Sequence, residues 1–196
     1  MLSEPASLND YNDMWEYKLT KHIFLTGFMG SGKSTIGKKL ATRLGAKFID
    51  TDEIIELSQK MEIKNIFKVE GESHFRKYEE VVLERIIDTE KNAVISLGGG
   101  TLLSDVNLKK VRDAGILIYI KSNPSEIWKR IKHSTRRPLL RKDGENWTRQ
   151  MYLNRITELM AEREAGYEQA QFILDRDGKE VDEIVGEILA EIKSMI

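Results

Sequence analysis

The chain contains no cysteine. Disulfides and thiolate zinc sites are therefore excluded, which fits a reducing interior. No run of 18 apolar residues occurs, so no transmembrane helix is expected. Neither sign of charge dominates: 31 Lys and Arg face 32 Asp and Glu, a formal net charge of −1. Nothing global points to nucleic acid or to a membrane surface. The opening stretch, "MLSEPASLNDYNDMWEYKLTK", lacks the basic start and apolar middle of a secretory signal. Residues 1–20 are expected to form a loosely held extension and 21–196 a single compact domain, placed in the cytoplasm. No internal repeat and no low-complexity segment stands out.

What is present is an alternation. "HIFLTG" (22–27), "KFID" (47–50), "AVISLG" (93–98), "ILIYIK" (116–121) and "FILD" (172–175) are brief apolar runs that read as strands buried on both faces. Helical patterns separate them. Ile36, Leu40 and Leu44 recur every four residues, and Val181, Ile184, Val185, Ile188, Leu189 and Ile192 repeat at 3, 1, 3, 1, 3. Strands alternating with helices predict a three-layer α/β/α fold around a five-stranded parallel sheet. Ligands in such folds bind outside the carboxyl ends of the strands.

After the first strand comes "GFMGSGKST", a match to G-x-x-x-x-G-K-[ST] from Gly27 to Ser34, with a strand before and a helix after. Gly27, Gly30 and Gly32 let the loop curl so that its amides, those of Ser31 and Thr35 among them, converge on phosphate oxygens. The helix starting near Lys33 adds its positive end. Lys33 can neutralise the β- and γ-phosphates, and Ser34 offers a hydroxyl to Mg²⁺. A nucleoside triphosphate site follows. The loop alone does not choose among kinase, GTPase and motor. A guanine-reading N/T-K-x-D is missing and motors are usually larger, so a small kinase remains.

"FIDTDEII" places Asp50 and Asp52 at the end of the second strand, two residues apart and hence on one side of an extended chain. One can hold the magnesium shell while the other orients or deprotonates a substrate hydroxyl. Alternatively, Thr51 or Asp52 caps the following helix. Asp50 is the better metal candidate. Arg163 continues an apolar stripe of Tyr152, Ile156 and Leu159 on a helix from about 148, so it is predicted to point inward, where a charge needs a partner. Lys129 to Lys142 holds Lys129, Arg130, Lys132, Arg136, Arg137, Arg141 and Lys142 with no acid among them. Within it "HSTRRPLLRKDGE" lacks helical period and reads as a mobile lid over about 132–147, rather than a nucleic-acid patch.

"GFMGSGKSTIGKKLA", "FIDTD", "GESHFRKYE", "ISLGGGT" and "RRPLL", in this order and spacing, resemble the shikimate kinase family, small P-loop kinases of the nucleoside-monophosphate-kinase-like fold. The likeness covers residues from about 20 to 195. It implies a monomer that phosphorylates shikimate with Mg²⁺ and ATP. Its substrate-binding segment would span about 50–88, and its substrates would be small molecules, with neither nucleic acid nor membrane as partner. It further implies that Arg76 and Arg163 clamp the shikimate carboxylate, with Phe67 and Phe75 lining the pocket or packing in the core. Arg155 is a possible confusion for Arg163, since the family's Pro-Leu before the following Tyr is here Ala165-Gly166. Arg130 matches the position that stacks on adenine. Arg137 matches the lid arginine that contacts the phosphates; Arg136 competes, and the family spacing favours Arg137. Asp52 is expected to orient or deprotonate the acceptor hydroxyl. Gly98, Gly99 and Gly100 would form a bare-backbone floor for the acceptor, one of them also serving a strand-to-helix turn. Rivals are a gluconate or nucleotide kinase and a catalytically silent ATP-binding module.

Overall fold

A computed structural model describes residues 19–132, 140 and 147–193. Residues 1–18 and most of the expected lid, with Arg136 and Arg137, lie outside them. Five parallel strands form one sheet in the order β2-β3-β1-β4-β5. These are β1 (His22–Thr26), β2 (Phe48–Asp50), β3 (Val94–Ser96), β4 (Gly115–Lys121) and β5 (Phe172–Asp175). The helices are α1 (Lys33–Arg43), α2 (Thr51–Gln59), α3 (Ile63–Val69), α4 (Glu72–Thr89), α5 (Asp105–Ala114), α6 (Pro124–Ile131), α7 (Arg149–Tyr167) and α8 (Val181–Lys193). A single 3₁₀ turn, Thr101–Leu103, follows β3.

The alternating side chains of β1 divide the core in two. Ile23 and Leu25 pack with Ile36 and Leu40 of α1 and Ile184 and Ile188 of α8. Phe24 faces the other way, onto Leu83 of α4, Val111 of α5 and Ile55 of α2. A third cluster joins Phe28, Tyr119, Ile127, Ile156, Leu159 and Tyr167, and so fastens α6 and α7 over the sheet's carboxyl end. Leu19 is already buried in the first cluster, so ordered packing starts inside the stretch expected to be loose. Burial on both faces holds for β1, β3 and β4. It fails for β5, where Ile173 is 47% exposed, because this strand closes the sheet and has a neighbour on one side only.

The strand order fixes where a ligand can sit. The chain leaves β1 for β2, returns to insert β3 between them, then crosses to β4 on the far side of β1. The crevice beyond β1 and β3 is thus the topological switch point, the usual ligand site of such sheets.

Candidate active site

Three segments meet at that crevice: the loop after β1, the end of β2, and the glycines after β3. They line a cleft of about 310 Å³ in which Gly30, Gly32, Lys33, Ser34 and Thr35 face Asp50, Asp52, Leu97 and Gly99, with Arg130 also in the lining.

The β1–α1 loop is built to receive an anion. Gly32 caps α1 with φ at 100°, a left-handed conformation that L side chains seldom adopt. No side chain caps α1. By contrast Asp50, Ser104, Asn123 and Thr148 each accept a first-turn amide of α2, α5, α6 and α7. The first-turn amides of α1 are thereby left for a ligand. The Lys33 ammonium donates to the carbonyls of Gly27 (2.8 Å) and Phe28 (3.2 Å), which holds the curl closed around it. The Ser34 hydroxyl donates to Asp50 Oδ2 at 2.6 Å.

Asp50 has two duties. Its other oxygen accepts the Asp52 amide at 3.1 Å, so Asp50 is the cap of α2. This corrects the expectation that Thr51 or Asp52 fills that position. Thr51 does something else: its hydroxyl donates to Ser96 O (3.3 Å) and accepts the Gly98 amide (2.9 Å), tying α2 to the glycine run. Asp52, relieved of capping, turns toward the glycines; its Oδ1 lies 2.8 Å from where a Gly98 Cβ would stand.

The three glycines are needed for space rather than for backbone freedom, since none has positive φ. A Cβ on Gly98 would also meet Glu79 Oε1 at 2.5 Å. One on Gly100 would lie 2.6 Å from Arg76 Nη2 and 2.7 Å from its Cζ. One on Gly99 would face Arg163 Nη1 and the Met29 amide, each at 3.4 Å. The absent side chains therefore point one by one at an acid, at Arg163 and at Arg76.

Both arginines are held by neighbouring side chains. Arg76 Nη1 donates to Glu79 Oε2 at 2.5 Å and Nη2 to Glu72 Oε1 at 2.6 Å. Glu79 is buried and also accepts the Thr101 hydroxyl at 2.7 Å. Burial works to lower the Arg76 pKa, but the charge and hydrogen bonds of Glu79 and Glu72 raise it overall. Arg163 is only 4% exposed, as its place on the stripe predicts. Its guanidinium lies over the Phe28 ring at 5.4 Å, and its Nε has no hydrogen-bond partner. Arg155 instead pairs with Glu158 and lies away from the glycines' approach. Phe75 and Phe67 stack at 4.9 Å; Phe75 is core, and it carries the Arg76 guanidinium 5.5 Å above its ring.

Arg130 reaches back from α6 to Ser122 Oγ (3.0 Å) and Gly30 O (3.5 Å), and pairs with Asp177 at 3.5 Å. Asp177 also accepts from Ser122 Oγ and, at 2.7 Å, from the Asn123 amide. Sequence reasoning missed this support, together with Thr51 and Thr101. Their partners lie 22 to 55 residues away, and no short spacing signals them.

A family model described as shikimate kinase matches residues 29–193. The chain belongs to the shikimate kinase family. It is accordingly an enzyme, a kinase of the P-loop type. It is 44% identical to the shikimate kinase of Chlorobaculum parvum over 175 residues, 89% of this chain and 93% of that one. To the shikimate kinase of Chlorobaculum tepidum it is 45% identical, again over 89% of this chain and 91% of the other. Among solved structures, the shikimate kinase from Acinetobacter baumannii in complex with shikimate superposes with a TM-score of 0.81 at 30% identity, covering 89% and 93% of the two chains. A gluconokinase from Sinorhizobium meliloti shares the fold, with a TM-score of 0.56 at 18% identity over 91% and 94%.

A Gly100→Ala substitution should act on one side of this site only. The added Cβ meets the tip of a flexible side chain, so the chain yields by displacing Arg76 rather than by unfolding. Loss of a charge-assisted bond is worth ~1.5–3 kcal/mol, roughly 10- to 100-fold in acceptor KM. The KM for ATP should not change. Steady-state kinetics with each substrate varied in turn would check both.

Proposed function

We propose that this protein transfers the γ-phosphoryl group of ATP to the 3-hydroxyl of shikimate, releasing ADP and shikimate 3-phosphate. The observation that carries this is the approach of Asp52, Arg163 and Arg76 in turn to the bare backbone of Gly98, Gly99 and Gly100, beside a cleft shared with the P-loop. A carboxylate at one end of a small polyhydroxylated ring fits the two guanidiniums. The ring's hydroxyls then face Asp52.

In this reading the amides of Gly30, Gly32 and Thr35 and the Lys33 ammonium hold the β- and γ-phosphates, while the Ser31 amide, expected to join them, instead closes the loop by donating to the Phe28 carbonyl at 3.1 Å. Arg130 lies against the nucleobase, its guanidinium steadied by Ser122 and Asp177. Asp52 accepts the proton of the attacking hydroxyl or orients it for in-line transfer. Arg137 keeps the lid role its sequence position implies. Ser34 and Asp50 present hard oxygen donors 2.6 Å apart beside Lys33, a donor set that fits Mg²⁺ shared with the phosphates. Among the described residues no group of three or more His, Cys, Asp or Glu could hold a metal alone. Magnesium would neutralise charge that builds on the β- and γ-phosphate oxygens.

We read the substrate-binding segment as 50–88 and the enzyme as a monomer acting on small molecules. We read its location as the cytoplasm. No helix among the described residues is long and apolar enough to cross a membrane. The test is a panel: ADP release with Mg-ATP and shikimate, gluconate or a nucleoside monophosphate. Shikimate should give a rate at least ~100-fold above the others, since a site built around buried polar groups rejects acceptors that leave them unpaired. Equal or greater turnover of gluconate would overturn the assignment. ATP binding with no turnover of any acceptor would indicate a silent module.

A further inference from the structure

The last turn of α7 carries more than Arg163. Four residues on, Tyr167 is 1% exposed and stacks on Tyr119 with ring centroids 5.0 Å apart. Its hydroxyl donates to the carbonyl of Gly99, 68 residues away. Burial pushes the Tyr167 pKa up to about 12, against the pull of Arg163, so the hydroxyl stays a donor at neutral pH. The residue between them in contact is equally specific. A Cβ on Gly166 would lie 2.7 Å from Leu102 O and 3.2 Å from Leu102 Cβ, so α7 rests directly on the turn that follows the glycines. The end of α7 is thus fastened to the acceptor loop twice, once by a hydroxyl and once by close backbone approach.

The remaining hydrogen bonds of the loop show what this fastening controls. The Gly98 amide goes to Thr51 Oγ1, the Thr101 amide to Gly98 O (3.2 Å) and the Leu103 amide to Gly100 O (3.1 Å). The amides of Gly99 and Gly100 donate to no group among the described residues. The Gly99–Gly100 peptide is trans and planar, so its N–H points opposite to its C=O. A donor that pins the carbonyl therefore also aims the Gly100 N–H. Without it, glycines on both sides leave this peptide plane free to rotate.

We infer that Tyr167 is a positioning residue for acceptor binding: by holding the Gly99 carbonyl it aims the Gly100 amide at the acceptor carboxylate gripped by Arg76 and Arg163. The inference rests on the shikimate kinase reading above. Its reach is limited to the acceptor. Among the described residues the phosphate loop makes no hydrogen bond to this peptide, so the effect is expected on the acceptor and not on ATP.

Tyr167→Phe tests it together with the Gly100 resonance: the ring survives while the hydroxyl, which also shares a hydrogen bond with Arg163, is lost, and the resonance reads the Gly99–Gly100 peptide alone. Acceptor KM should rise about tenfold, the cost of misaligning one charge-assisted hydrogen bond, with kcat and the KM for ATP within about twofold of wild type. A merely structural tyrosine would lower the melting temperature and leave the ratio of the two KM values where it was, and that result would overturn the inference. Gly166→Ala, which must lift α7 off Leu102, should show the same acceptor-selective rise; an equal rise for ATP would count against it. An independent readout needs no variant. In ¹⁵N-labelled wild-type protein, shikimate should move the Gly100 amide proton downfield, and a Gly100 resonance unmoved at saturation would also overturn the inference. Wild-type inactivity on shikimate would overturn this and the proposed function together. An active wild type with an unchanged Tyr167→Phe acceptor KM would overturn this inference alone.

Discussion

Asp52→Asn should lower kcat by about 10²- to 10⁴-fold, the usual contribution of a positioned acid or base. The side chain keeps its shape, so the KM for ATP should hold. Stability should change little, because the cap of α2 is Asp50 and not Asp52. Only a first-turn acid is neutralised, which costs ~0.3–1 kcal/mol. Kinetics and thermal unfolding of the same preparation separate the two effects. Near-full turnover in the Asn variant would reduce Asp52 to a positioning group and remove the proton-acceptor step.

Arg163→Met should do the reverse of what removing a buried residue usually does. Arg163 is almost wholly buried, no ion pair among the described residues includes it, and its Nε finds no acceptor. A charge held by a hydrogen bond to Tyr167 and by no such ion pair is a cost to the fold, which the proposed function explains as retained for a ligand. Methionine has similar length and suits the apolar surroundings of Phe28, Ile156 and Leu159. The ligand-free variant should melt at least as high as wild type. Recovering ~1 kcal/mol would raise the melting temperature by about 2–4 °C for a chain of this size. Acceptor KM, in contrast, should rise by two orders of magnitude or more, since ~3 kcal/mol or above is at stake in a bidentate buried contact. Shikimate should then give almost no thermal shift. A variant that unfolds without a change in acceptor KM would show Arg163 to be structural.

The nucleotide half of the site was legible because it is local. Strand, loop and helix are consecutive, and the spacing from Gly27 to Ser34 is itself the geometry. The inward aim of Arg163 was legible for the same reason: a helical period carries it onto the face of Ile156 and Leu159. The glycine run could be seen but not explained from periodicity. Its three missing side chains answer to Glu79, Arg163 and Arg76, which come from two other helices and meet only in the folded chain. The cap of α2 was misplaced by one or two residues because Asp50, Thr51 and Asp52 are all good caps. Only the pull of Ser34 on Asp50 and of Ser96 and Gly98 on Thr51 sorts them. The edge exposure of Ile173 likewise depends on strand order, which a single apolar run does not encode.

In the proposed function the acceptor hydroxyl facing Asp52 belongs to a ring held by its carboxylate at the far end. The most direct measurement is the ³¹P spectrum of a reaction containing the purified protein, Mg-ATP and shikimate. ADP and a single phosphomonoester should appear in equal amounts, the ester phosphorus coupled to the ring proton at C3. Inorganic phosphate without an ester, or an ester on a different hydroxyl, would contradict it.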